Sequence, residues 1–203
     1  IRADYARVIQ GARVVLVISE TTLAALQAKV TNLPPCKVCL LATEEEGESP
    51  LGPPDGPPTL LVFGRHDSYF AKGQDILVRL WPRVTAALPD ARLMFVGGGL
   101  KLAELRNLAA GSPAHENINV KGFVEEQDIL PIWQQASALA LISSLEGFGL
   151  VIAEAMRHGR PVLASLQDAG REVNTDGVTG YNVDRNDDDA IVAKVVALLG
   201  DTE

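Results

Sequence analysis

The chain has 203 residues and a net charge of −8, with 47% hydrophobic and 22% charged residues, the balance of a globular protein with a sizeable core. An acidic chain without a Lys/Arg cluster repels DNA and RNA, and no apolar run approaches the roughly 18–20 residues of a membrane helix, so neither nucleic acid nor a transmembrane segment is expected. Aromatics make up only 5%, which leaves Val, Leu, Ile and Ala to build a core of the kind that surrounds parallel strands buried on both faces.

In chain order, residues 2–10 have a helical pattern and Arg13 to Ile18 reads as a buried strand. Ser19 then caps a helix predicted to run to about Val30. A short strand is predicted over Lys37 to Leu41, which includes Cys39 and follows Cys36. That C-x-x-C pair has no second pair to complete a zinc site, and His66, His115 and His158 are scattered. Two reduced thiols packed as small hydrophobes are expected, consistent with a reducing, cytoplasmic compartment. No signal peptide is visible, yet Ile1 opens abruptly on a helical pattern, so the natural start is expected upstream. The acidic and Pro/Gly-rich run from Glu44 to Pro58 marks a boundary, giving an expected division into 1–45, a linker at 46–58, and 59–203.

Beyond the linker the pattern becomes regular. Strands are predicted at 59–63, 92–96, 118–121, 138–142, 161–164 and 180–183. Helices are predicted at 74–88, 100–110, 126–135, 149–157 and 188–199. Such alternation implies βαβ units, hence an α/β fold with a Rossmann-like parallel sheet flanked by helices. Ligands of such sheets bind where strands end and loops lead into helices, so the loops after Phe63, Val96, Lys121, Ile142 and Ala164 are the ones to inspect.

Chemistry concentrates in the loop after Ile142, Ser143-Ser144-Leu145-Glu146-Gly147-Phe148-Gly149-Leu150, which follows a strand and opens a helix. Its glycines admit a ligand close to the backbone, and unpaired amides at the helix start attract phosphate. Glu146 and Glu154, eight residues apart, can edge a single ligand, although two glutamates at that spacing are ordinary on any acidic helix. Arg65 and Lys72, at the end of the first strand after the linker, could clamp a diphosphate. Gly97-Gly98-Gly99 does not make the dinucleotide fingerprint, because Leu102 stands where its last glycine is needed. Asp187-Asp188-Asp189 reads as the N-terminal cap of the last helix rather than a metal site.

The run from Ser144 to Met156, continued by His158-Gly159-Arg160-Pro161-Val162, Glu172-Val173 and Asp176 to Val183, resembles the signature of the retaining GT-B glycosyltransferases of group 1 type: an E-G-F-G block, a second Glu eight positions on, E-A-M and G-x-P-V. Phe63-Gly64-Arg65 and Lys72-Gly73 resemble the family's G-R…K-G pair, with a gap a residue or two longer. The resemblance spans about Thr59 to Val183 and implies the second, donor-binding domain of a GT-B fold, with residues 1–45 as the tail of the acceptor-side domain. It implies transfer of a sugar, of hexosyltransferase type, from a UDP- or GDP-sugar to an unidentified acceptor, with Glu146, Arg65 and Lys72 as catalytic residues. Gly64, Gly97, Gly122, Phe123, Val124, Gly147, Phe148, Gly149, Leu150 and Glu154 would bind the donor, Glu154 at the ribose. No metal or other cofactor is expected, and any peripheral membrane contact would come through the acceptor-side domain. The fragment alone is expected to be inactive. A GT-B-like UDP-sugar epimerase and a non-catalytic sugar-nucleotide-binding module are the alternatives.

Overall fold

A computed structural model of the chain describes residues 3–43, 50–67 and 71–200. The stretch 44–49 of the expected boundary lies outside the described residues.

The chain begins with α1 (Ala3–Gln10), β1 (Val15–Val17), α2 (Glu20–Gln27) and β2 (Cys36–Val38), the two strands pairing in parallel. Ser19 caps α2 as expected, its hydroxyl accepting Thr22 N–H at 3.0 Å. The buried strand predicted over 13–18 is shorter and covered on one side: Val17 is buried, whereas Leu16 is 64% exposed. The two thiols are not packed as small hydrophobes either. Cys36 is half-buried and Cys39 exposed, the strand ending at Val38 before it reaches Cys39.

The remainder alternates: β3 (Thr59–Phe63), α3 (Gln74–Ala87), β4 (Arg92–Val96), α4 (Leu102–Ala110), β5 (Ile118–Gly122), α5 (Ile129–Gln135), β6 (Ala138–Leu141), α6 (Leu150–Arg157), β7 (Val162–Ser165), α7 (Gly170–Val173), β8 (Gly180–Val183) and α8 (Asp188–Gly200). The helix expected from residue 126 starts as a 3-10 turn, Glu126–Asp128, and α7 was not expected at all.

All six strands run parallel in the order β5-β4-β3-β6-β7-β8. Side chains alternate between two apolar layers, as the period-2 geometry of a strand requires. Leu60, Val62, Leu93, Phe95, Ala138, Ala140 and Leu163 face one layer with Leu77, Trp81, Val84, Ile191 and Val195 of α3 and α8. Leu61, Met94, Leu139, Leu141, Val162 and Ala164 face the other, with Ile132, Trp133, Ile152 and Ala155 of α5 and α6. Burying each large side chain contributes about 1.5–3 kcal/mol, which explains why the central strands need no alternation of polar residues.

The strand order reverses between β3 and β6. At that point the connections depart to opposite faces and leave a crevice beyond the carboxyl ends of the two strands.

Candidate functional site

Two loops build the floor of the crevice. The chain leaving β3 is stitched to the chain leaving β4: Gly64 N–H donates to Val96 O at 2.9 Å, and His66 N–H to Gly98 O at 2.9 Å. Gly97 makes this approach possible. Its φ is +129°, and a Cβ there would lie 2.0 Å from the Gly64 carbonyl oxygen. Gly97 N–H in turn donates to Gly122 O at 2.7 Å, so the glycines expected at the donor are neighbours through their backbones.

His66 follows Arg65 on the same loop and is packed inside it. It is 1% exposed, braced by Gln74 Nε2 at 3.0 Å from Nδ1, and burial lowers its pKa. The neighbouring Asp67 opposes that shift and Lys72 adds to it. Gln74 also accepts Lys72 N–H at 3.1 Å, fixing the end of the loop. Gly73, at φ +78°, starts α3 where a Cβ would meet Ile142 O at 2.8 Å; this draws the β3 loop onto the end of β6. Ser144 N–H then donates to Ala71 O at 2.8 Å.

That junction brings two of the expected residues together. Lys72 Nζ lies 2.9 Å from Glu146 Oε2, the side chains 24% and 21% exposed. Arg65 does not join them. Its side chain is 81% exposed and its Nε donates to Asp67 Oδ2 at 2.5 Å. Phe148 is buried in support of the loop, while Gly149, at φ +87°, turns the chain into α6, whose start has no side-chain cap. Its first amides are therefore open to an anion. Glu154 is half-buried within α6; burial raises its pKa and Arg157 opposes the shift. On the far side Phe123 is 72% exposed, its Cβ 3.5 Å from where a Cβ on Gly98 would stand, and Val124 beside it is half-buried.

Two functional candidates escaped the sequence reading. Asp168, in the loop after β7, is 3% exposed, and burial pushes its carboxyl up to about 6. The Gly170 amide opposes the shift and the charge of Glu146 adds to it. Glu172 reaches across to α2, accepting Glu20 N–H at 2.7 Å, Thr21 N–H at 2.8 Å and the Thr21 hydroxyl. Thr22 Oγ1 donates to Gly147 O at 3.3 Å, so α2 touches the E-G-F-G loop as well. The only sequence signal for Glu172 was its place in the motif. Asp168 had none, because a lone loop Asp is ordinary.

Among the described residues, no group of three or more His, Cys, Asp or Glu is arranged to hold a metal ion. Asp187 caps α8, accepting Ala190 N–H at 2.9 Å, and Asp188 and Asp189 pair with Arg79 and Arg83. No helix among the described residues is long and apolar enough to cross a membrane. A cavity of about 600 Å³ opens at the opposite, amino ends of the strands among Pro53, Arg160, Pro161, Tyr181 and Leu198. Arg160 is the one charged side chain in its described lining, so the switch-point crevice, with its converging charges and free amides, is the stronger candidate.

Comparison with known proteins agrees with this fold. Residues 57–201 match the family model for glycosyl transferases group 1. A Corynebacterium glutamicum GDP-mannose-dependent monoacylated alpha-(1-6)-phosphatidylinositol monomannoside mannosyltransferase is 34% identical over 137 residues, 64% of this chain and 35% of that protein. A Mycobacterium leprae phosphatidyl-myo-inositol mannosyltransferase is 35% identical over 142 residues, 70% of this chain and 37% of the relative. The matched stretches thus span little more than a third of these relatives. Among solved structures, sucrose-phosphate synthase from Thermosynechococcus elongatus superposes with a TM-score of 0.82 at 25% identity, covering 98% of this chain and 52% of that one. Anabaena HepE, solved in complex with UDP and glucose, gives a TM-score of 0.77 at 22% identity over 100% of this chain and 59% of its own, a likeness of fold. With a two-sided parallel sheet, its switch-point crevice and a family match over most of its length, this chain belongs to the group 1 glycosyl transferases.

Proposed function

We propose that the chain is the donor-binding half of a retaining glycosyltransferase that moves a sugar from a nucleotide-diphosphate sugar to an acceptor held by the rest of the protein. The observation that carries this reading is the Lys72–Glu146 pair, 2.9 Å apart at the carboxyl ends of β3 and β6, beside the uncapped start of α6. A diphosphate entering there meets Lys72, the open amides and, once it swings from Asp67, Arg65. These groups would stabilise the negative charge that grows on the leaving diphosphate as the glycosidic bond breaks. Glu146, released from Lys72, would hold hydroxyls of the transferred sugar near an oxocarbenium-like centre, and Glu154 would accept the ribose hydroxyls. The leaving phosphate can take the acceptor's proton, so no separate general base is assigned, and the cations and amides need no metal.

The likeness to mannosyltransferases makes GDP-mannose the first donor to test, with UDP-sugars next. A lipid-linked acceptor follows from the same likeness, and would bring the whole protein to a membrane surface.

Calorimetric titration of the chain with UDP, GDP and ADP tests the reading. One of them should bind, and Lys72→Ala should weaken that binding at least about tenfold, since a charge-assisted contact to phosphate is removed. In the full-length protein Glu146→Ala should lower turnover by about 10²-fold or more with the fold intact. Binding of none of the three nucleotides, or wild-type turnover in Glu146→Ala, overturns the proposal.

A further inference from the structure

Capping accounts for only one of the two oxygens of Asp168. Oδ1 accepts Gly170 N–H at 2.8 Å, whereas Oδ2 is buried and has no partner among the described residues. An ionised carboxylate so placed has lost water from an oxygen that nothing replaces, a penalty that is smaller once the oxygen takes a proton and the charge is gone. The side chain is 3% exposed, and a Cβ added to Gly170 would lie 3.0 Å from Oδ1 and 3.1 Å from Ile152 Cδ1, so Gly170 leaves room for the carboxyl beside an apolar side chain of α6. The charged groups that face it are Glu146, which favours its proton, and Lys72 and Arg171, which disfavour it. The backbone beside it abuts the same glutamate, Ala169 N–H donating to Glu146 O at 3.4 Å.

We propose that Asp168 is a positioning residue that takes up a proton at Oδ2 when the nucleotide-sugar binds, so that Glu146 can part from Lys72 without facing a second bare carboxylate. The inference rests on the donor-binding reading above. In the free chain the Lys72 ammonium neutralises Glu146. A diphosphate carries two negative charges and competes for that ammonium. Once Lys72 turns to the phosphates, Asp168 loses an opposing cation and gains anionic neighbours, and both changes raise its proton affinity. The only bond formed is O–H at Oδ2, and the proton comes from solvent. With Asp168 neutral, a single charge on Glu146 remains to accept the sugar hydroxyls. A carboxyl already at about 6 needs only a small further rise to be half-protonated at pH 7.

The test is calorimetric titration of the chain with GDP-mannose and with UDP-glucose in buffers of different protonation enthalpy, which counts protons exchanged on binding. Both probes carry a diphosphate diester with no proton to lose near neutrality. Uptake of about half a proton is expected at pH 7, fading towards zero by about pH 9. Asp168→Asn, which keeps an oxygen for Gly170 N–H, should bind without uptake. The carboxyl carbon resonance of Asp168 in the unaltered chain should titrate near pH 6 and shift upward with donor, a readout that holds even if the variant fails to fold. Binding without uptake, uptake that persists in Asp168→Asn and so resides elsewhere (His66, for instance), or a carboxyl midpoint unmoved by donor overturns the proposal. Failure of both probes to bind would instead strike the donor-binding reading, and the proton with it.

Discussion

In the six-stranded sheet every residue of β6 and β7 is buried, whereas β1 leaves Leu16 64% exposed and α2 buries none of its own residues. Both sheets are parallel, but only the larger is covered by helices on two faces. The larger body therefore holds itself by apolar burial. The α2 segment is held in good part by polar contacts to it, through Glu172 at its first amides and Gly147 at Thr22. Those contacts end beside the Glu146 loop. The segment with the weakest core of its own thus forms one wall of the crevice, and its placement is more easily altered than that of the floor.

The largest test of this contrast is Leu139→Ala, at the centre of the sheet and 0% exposed. It should destabilise the chain by about 2–5 kcal/mol in urea unfolding, through lost transfer energy and a cavity. An effect below about 1 kcal/mol would mean that the body is not core-held. Next comes Glu172→Gln, which removes a carboxylate from the start of α2. A loss of about 0.5–1 kcal/mol is expected near pH 7, with increased amide exchange in α2 and little change in β6. Burial raises the pKa of Glu172, but the hydrogen bonds from Thr21 and Glu20 and the charge of Arg171 outweigh it and leave the pKa lowered. A depressed carboxylate stabilises above its unfolded value and loses that contribution as pH falls through the folded one. The difference between Glu172→Gln and the parent should accordingly shrink as the pH drops below about 4.3. A difference that grows on acidification would assign the contact another role. Leu16→Ala is the smallest, within about 0.5 kcal/mol for so exposed a side chain. A loss as large as that of Leu139→Ala would break the comparison.

The body was legible in the sequence because its signals are local. Four-residue apolar runs such as Leu60 to Phe63 and Leu93 to Val96, separated by helical periods, dictate buried strands joined by crossovers. The same logic failed at residues 13–18, where an apolar run met too few neighbours to bury it. The E-G-F-G block and the Arg65/Lys72 stretch were also readable as motifs, together with the strand ends on which they sit.

Composition and periodicity thus determined the α/β class, and the quoted motifs pointed to the family through their resemblance to it. Tertiary structure alone decided that Lys72 pairs with Glu146, 74 residues away, while Arg65 pairs with Asp67; that His66 is a buried brace; and that Asp168 keeps an oxygen without a partner among the described residues. The physical reason is the strand order. Which loops meet depends on β3 and β6 becoming neighbours at the switch point, and the solvation of each charge depends on everything that the packing brings around it.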